Sequence, residues 1–221
     1  MKYLLEISDL PRGAKVLDVG CGLGGTSRYL AKEHGCSVTG ITISGRQVEI
    51  AKRLTQAETS SNNDSDKASD NVDIDVYAYP SGGDCRFIEL DAEKMLEYFS
   101  SVNGKPEGGK FDAVWISEAL SHFPDKPLFF RSASELLTPG NSSSRLVIAD
   151  WFKAPDLTPE QERDDIQPIE DGMLLPQLCT ADQYVKMAES AGLKIRRAPI
   201  DISKDVAKTW CVISLTQLTP T

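Results

Sequence analysis

The residues best placed to do chemistry in this chain are an acid ahead of a glycine cluster and a histidine in a polar turn. In "VLDVGCGLGGTSRYLA", Val16–Ala31, four glycines fall within six positions, directly behind an apolar run that holds one acid, Asp18. A glycine costs roughly 0.5–1 kcal/mol relative to alanine inside a regular element. The cluster therefore points to a ligand lying against bare main chain, where N–H groups take acceptor atoms and a nearby carboxylate takes a cationic one. His122, in "SEALSHFPDK", is the natural proton acceptor near neutrality. The other histidine, His34, sits beside Gly35 at a helix end and reads as a surface partner of the helix dipole.

Gly20, Gly22 and Gly25 also satisfy GxGxxG. A dinucleotide site with that pattern calls for an acid about 20 residues on, at the end of the second strand. Here that strand ends "GITIS", with no acid in place, which disfavours a nicotinamide or flavin.

These groups need elements to hold them, and apolar runs alternate with helix-period segments along the chain. "KVLDVG" (15–20), "SVTGITI" (37–43), "CRFIEL" (85–90), "FDAVWIS" (111–117), "RLVIADW" (145–151) and "LKIRRAPI" (193–200) read as strands. "TSRYLAKEHG" reads as a helix stopped at Gly35. "SGRQVEIAKRLTQA" follows a Ser44 cap with Val48, Ala51 and Leu54 on one face. Further helices are expected around 92–100, 128–137 and 181–191, the last behind a Thr180 cap. The tail "AKTWCVISLTQL" fits either a helix or an edge strand. This alternation predicts an α/β fold, a doubly wound, mostly parallel sheet with ligands at the carboxyl ends of its strands.

With 221 residues, 40% of them hydrophobic, the chain suits one domain spanning 1–221. The net charge of −9 argues against a nucleic-acid or anionic-membrane partner. Between Gln56 and Asp84 seven acids face Lys67 alone, and the stretch 58–84 has the composition of a disordered acidic insertion. Five cysteines form no CxxC pair and no metal-ligand spacing, so no metal is expected and a reducing compartment is. The early acids Glu6 and Asp9 do not suit a leader peptide, and no run approaches the roughly 20 apolar residues of a membrane span. A cytoplasmic protein is expected.

Taken with the acid, the glycines read D-x-G-x-G-x-G. This form resembles the first motif of class I S-adenosylmethionine-dependent methyltransferases. "GITIS…Q", "FDAVWISEALSHFPDK" and "LPQLCTADQYVKMAESAGL" extend the resemblance to the tocopherol methyltransferase group and its sterol and small-molecule relatives. The resemblance implies a Rossmann-like fold and S-adenosyl-L-methionine as cofactor. It implies that Asp18 holds the cofactor's ammonium, directly or through water, while Gly20, Cys21, Gly22 and Gly24 lie along its methionyl and ribose parts. Thr42, Ile43 and Gln47 follow the second strand, the Gln47 amide meeting the ribose hydroxyls. Asp91 and the Ala92 N–H would face the adenine; Ile116, through its carbonyl, and Ser117 the amine. His122 and Glu118 align with the histidine and glutamate of the family's "ESGEHMPDK" stretch and are the catalytic candidates. Asp18 could instead cap its turn, Asp91 cap a helix, and Gln47 stand on an exposed helix face. Trp115 reads as core. Asp150 and Trp151 point at the same cleft with their role open.

Phe123, Met173, Leu174 and Leu175 make the cleft apolar, so a small apolar or aromatic metabolite is the expected substrate. Such relatives carry covering segments at both ends, whereas this chain has few residues before its first strand and few after its sixth. Two readings stay open: a small-molecule methyltransferase, with a homo-oligomer covering the site, or a methyltransferase-fold binding partner, cyclase or isomerase that transfers no methyl.

Overall fold

The computed structural model describes residues 2–60, 75–101 and 110–204. Six strands form one sheet in the order β3-β4-β2-β1-β5-β6. They are β1 (Lys15–Val19), β2 (Ser37–Thr42), β3 (Tyr77–Ala78), β4 (Asp84–Glu89), β5 (Ala113–Ser117) and β6 (Arg145–Ala149). All neighbours run parallel except β3, which pairs antiparallel with β4.

Period-two alternation sends successive side chains to opposite faces. Val16 of β1 joins Val38, Cys85, Phe87 and Trp115 against α2 (Gly25–His34) and α3 (Gly45–Ser60), with Leu4 and Leu5 of α1 (Lys2–Ser8) at the margin. Leu17 and Val19 join Ile41, Val114 and Ile116 against α4 (Met95–Ser101), α5 (Lys126–Leu136) and α8 (Ala181–Ser190). The crossovers thus change face between β1 and β5, the switch point at which a crevice opens beyond the strand ends.

Local signals set the helix ends. Gly35 closes α2 at φ 70°, its N–H turned back to the last helical carbonyls. Ser44 Oγ accepts the Gln47 N–H at 3.3 Å, and Thr180 with Gln183 forms a reciprocal capping box ahead of α8.

Several expectations are corrected. Residues 193–200 form no strand: Ile195 and Ile200 are exposed, and Arg196 reaches Asp9 at 3.7 Å. Alternation records which side chains favour burial but supplies no ladder partner, and none pairs with this stretch among the described residues. Both ends of the stretch 58–84, expected to be a disordered insertion, are structured. Glu58–Ser60 complete α3, and Tyr77 to Asp84 fold back as a hairpin onto β4. Residues 61–74 and the tail "AKTWCVISLTQL" lie outside the described residues. Between β6 and α8 runs an unforeseen helical stretch, α6 (Pro159–Gln161), a π turn (Glu162–Ile166) and α7 (Gln167–Met173). Its start carries a legible signal, the "TPEQ" capping box of Thr158 and Gln161. His34 is half-buried, its ring 2.7 Å from the Leu10 carbonyl, so it ties down the N-terminal segment instead of standing free.

Candidate active site

The glycine turn leaves β1 and enters α2. Gly20 has φ +70°, and a Cβ there would stand 2.5 Å from Ala119 Cβ, so this turn packs directly on the turn that follows β5. Gly24 has φ +75° and would press its Cβ to 2.6 Å from the Phe87 ring. Around Gly22 and Gly25, by contrast, nothing lies within 4 Å of a Cβ position. The turn is tight underneath and open above. Cys21 donates its N–H to Ile41 O at 2.9 Å and accepts from Gly24 N at 2.9 Å, while its buried thiol is pushed up by desolvation and stays inert. Among the described residues the N–H groups of Gly22 and Leu23 have no protein acceptor. Arg28 braces the turn from α2, donating to Leu23 O at 2.7 Å and to Glu58 at 3.0 Å.

Asp18 is 2% exposed and accepts the Ser27 hydroxyl at 2.6 Å. Burial raises its carboxyl to about 7, against a smaller opposing pull from the Ser27 hydroxyl and N–H. The carboxyl therefore does cap its turn internally, with lone pairs left for a further donor. At the end of β2, Thr42 donates its hydroxyl to Gln47 Oε1 at 2.7 Å. That bond fixes the amide with its NH2 group left to donate, and Ile43 beside it is 74% exposed. Asp91 is the cap of the short turn Ala92–Lys94, accepting from Glu93 N at 3.0 Å, with one oxygen so engaged.

Across the crevice, β5 brings Ile116 into the core and Ser117 to its rim. Trp115 is fully buried, as expected of a core residue. Glu118 follows at φ 54°, a left-handed conformation uncommon outside glycine, and is exposed, as is His122 at the end of the turn Leu120–His122. Sequence reasoning missed what holds this turn. Asp150, directly after β6, accepts from the N–H groups of Ala119 (2.9 Å), Leu120 (2.6 Å), Ser121 (3.3 Å) and Trp151 (2.8 Å). Its half-buried carboxylate is thus engaged by the main chain of this turn. Lys126 is also buried and donates to the Ser121 and Phe123 carbonyls at 3.2 and 3.0 Å. Of the apolar residues expected at the cleft, Met173 and Leu174 are exposed, whereas Leu175 is buried and Phe123 packs on Phe129. Among the described residues no cluster of three or more His, Cys, Asp or Glu could hold a metal ion, and no helix is long and apolar enough to cross a membrane.

A doubly wound sheet with an open glycine turn over its first strand and a second turn packed against it is an architecture that opens a ligand crevice above β1 and β5. The chain belongs to the methyltransferase domain family, which it matches over residues 1–198. It is 31% identical to the chloroplastic tocopherol O-methyltransferase of Arabidopsis thaliana over 93% of this chain and 51% of that protein. It thus spans about half the length of this curated relative. In fold it resembles the [4+2]-cyclase SpnF, with TM-score 0.61 and 22% identity over 89% of this chain and 56% of that one. It also resembles the Haemonchus contortus phosphoethanolamine N-methyltransferase 2 in complex with S-adenosyl-L-methionine, with TM-score 0.59 and 19% identity over 86% of this chain and 35% of that one. The cofactor that this domain family implies is S-adenosylmethionine, and the residues fit it: open space above Gly22 and Gly25, N–H groups unengaged among the described residues, a buried acid and an exposed Ile43.

Proposed function

We propose that the chain methylates an oxygen, nitrogen or carbon nucleophile of a small apolar or aromatic metabolite. The observation that carries this reading is the direct contact of the two turns, Gly20 against Ala119. That contact supports reading the exposed Glu118 and His122, which follow in the second turn, as neighbours of the bound cofactor. The bound cofactor supplies an electrophilic methyl on a sulfonium whose leaving group is a neutral thioether. The chain's own task is then alignment, which can contribute several kcal/mol.

In this reading Asp18, with Ser27 behind it, takes the ammonium end, and the Gly22 and Leu23 N–H groups take acceptors on the amino-acid part. The Gln47 NH2, oriented by Thr42, donates to a ribose hydroxyl. Ile43 covers a face of the adenine, while Asp91 and the Ala92 N–H meet its edge. The Ile116 carbonyl faces the amine. His122 accepts the proton of a phenol or amine acceptor, and Glu118 orients it. Likeness to a tocopherol O-methyltransferase supports a phenolic ring bearing an apolar chain, for which the exposed Ile169, Met173 and Leu174 offer matching surface. A second copy of the chain covering this open edge belongs to the same proposal.

The test is incubation with methyl-labelled cofactor and a panel of phenols, indoles and prenylated rings. Label in the product and release of S-adenosylhomocysteine are expected. Absence of any S-adenosylhomocysteine binding by calorimetry overturns the reading. Binding without transfer across the panel would instead favour a cyclase, isomerase or binding partner built on this fold.

A further inference from the structure

We propose that Asp150 and Lys126 are positioning residues that clamp the His122 turn from its two sides. The inference rests on reading His122 as the proton acceptor. The turn Leu120–His122 is three residues long and closes only two main-chain bonds of its own, His122 N to Ala119 O and Phe123 N to Leu120 O, each 3.1 Å. So short a turn does not hold its shape unaided. An exposed imidazole also gains no orientation from packing.

Both kinds of orphan group in the turn find an ionic partner. Its N–H groups converge on the Asp150 carboxylate, Oδ2 taking Ala119 and Leu120 and Oδ1 taking Ser121. The carbonyls of Ser121 and of Phe123, which closes the turn, converge on the ammonium of Lys126, a residue 4% exposed. Hydrogen bonds to ionised partners are the strong ones. Asp150 stands one residue beyond the Ser117–Ala149 pair that ends the β5–β6 ladder, so the clamp fixes the turn to the sheet itself. It also explains why Glu118 keeps φ 54° at the head of the turn: the residues after it are anchored. Lys126 opens α5 beside the Asp125 cap, which accepts from Leu128 N at 2.8 Å, so the other jaw is as rigid as that helix.

The experiment uses the whole protein with S-adenosylhomocysteine bound. The chain has two histidines, so His34→Gln assigns the His122 ring signals in a proton–carbon correlation spectrum. In Asp150→Asn the amides of Ala119, Leu120 and Ser121 should exchange with deuterium faster by on the order of tenfold or more, while Val19 and Phe130 stay protected. The His122 ring signals should move towards those of a free histidine, with S-adenosylhomocysteine affinity changed by less than about twofold. Lys126→Met removes the other jaw, should move the ring signals the same way, and serves alone if Asp150→Asn does not fold. Unchanged exchange and ring signals overturn the clamp. Shifted ring signals beside a His122→Ala enzyme of undiminished turnover leave the clamp standing and overturn His122 as the base.

Discussion

Replacing Asp18 by Asn separates the stability of this fold from its purpose. In the ligand-free protein burial lifts this carboxyl from an ordinary 3.8 to about 7. The folded state therefore keeps a proton that the unfolded chain has already released, and between those two values stability falls as pH rises. The slope is roughly 1.4 kcal/mol per pH unit, so the loss reaches on the order of 4 kcal/mol by pH 7.5. Asn cannot ionise and can still accept the Ser27 hydroxyl through its amide oxygen. Urea denaturation of both proteins between pH 4.5 and 8.5, without cofactor, should show Asp18→Asn gaining on the native chain across the window and levelling off above about pH 7.5. Bound S-adenosylhomocysteine should reverse the order, because its ammonium needs the charged carboxylate. Its affinity for the native chain should weaken by up to about tenfold per unit below pH 7, and Asn should abolish that dependence along with most of the binding. Parallel stability curves for the two proteins would refute the reasoning.

Further substitutions probe other parts of the site. His122→Ala should lower turnover on the order of 10²-fold with cofactor affinity barely changed, read by steady-state kinetics beside calorimetry. Gly20→Ala, strained and facing Ala119 at 2.5 Å, should destabilise by roughly 2–4 kcal/mol. Gly22→Ala has open space and should destabilise by only about 1–2 kcal/mol, yet weaken S-adenosylhomocysteine binding at least as much as Gly20→Ala does. Thr42→Val frees the Gln47 amide and should reduce cofactor affinity several-fold by calorimetry. Tyr184→Phe should raise the stability to urea by about 1 kcal/mol, because the buried Tyr184 hydroxyl has no hydrogen-bond partner among the described residues.

The sequence was most legible where one local cause decides the outcome. Asp18 inside an apolar run, the glycine turn that follows it, the Gly35 stop and the Thr180 cap each appear in the structure where their types placed them. It was least legible where a partner distant in sequence decides. Nothing near Asp150 says that its carboxylate collects N–H groups from residues 119–121, since that depends on β5 and β6 being neighbours in register. Lys126 reads as an ordinary lysine at a helix start until the fold buries it under two carbonyls. Ser27 reads as a helix residue until α2 packs back over β1 and presents it to Asp18. The expected strand at 193–200 failed for the same kind of reason, alternation without a strand to pair with among the described residues. Asp91 and Asp18 show a further limit. An acid at a strand end suits both a cap and a ligand contact, and the structure shows the cap while composition alone left both open.

The most direct measurement is a crystal structure of the chain grown with S-adenosylhomocysteine. It should show the nucleoside along Gly20–Gly24 with its ammonium within one water of Asp18, its ribose on the Gln47 amide and its sulfur facing His122 across the crevice. An empty or occluded crevice, or a nucleoside seated elsewhere on the sheet, would contradict the account.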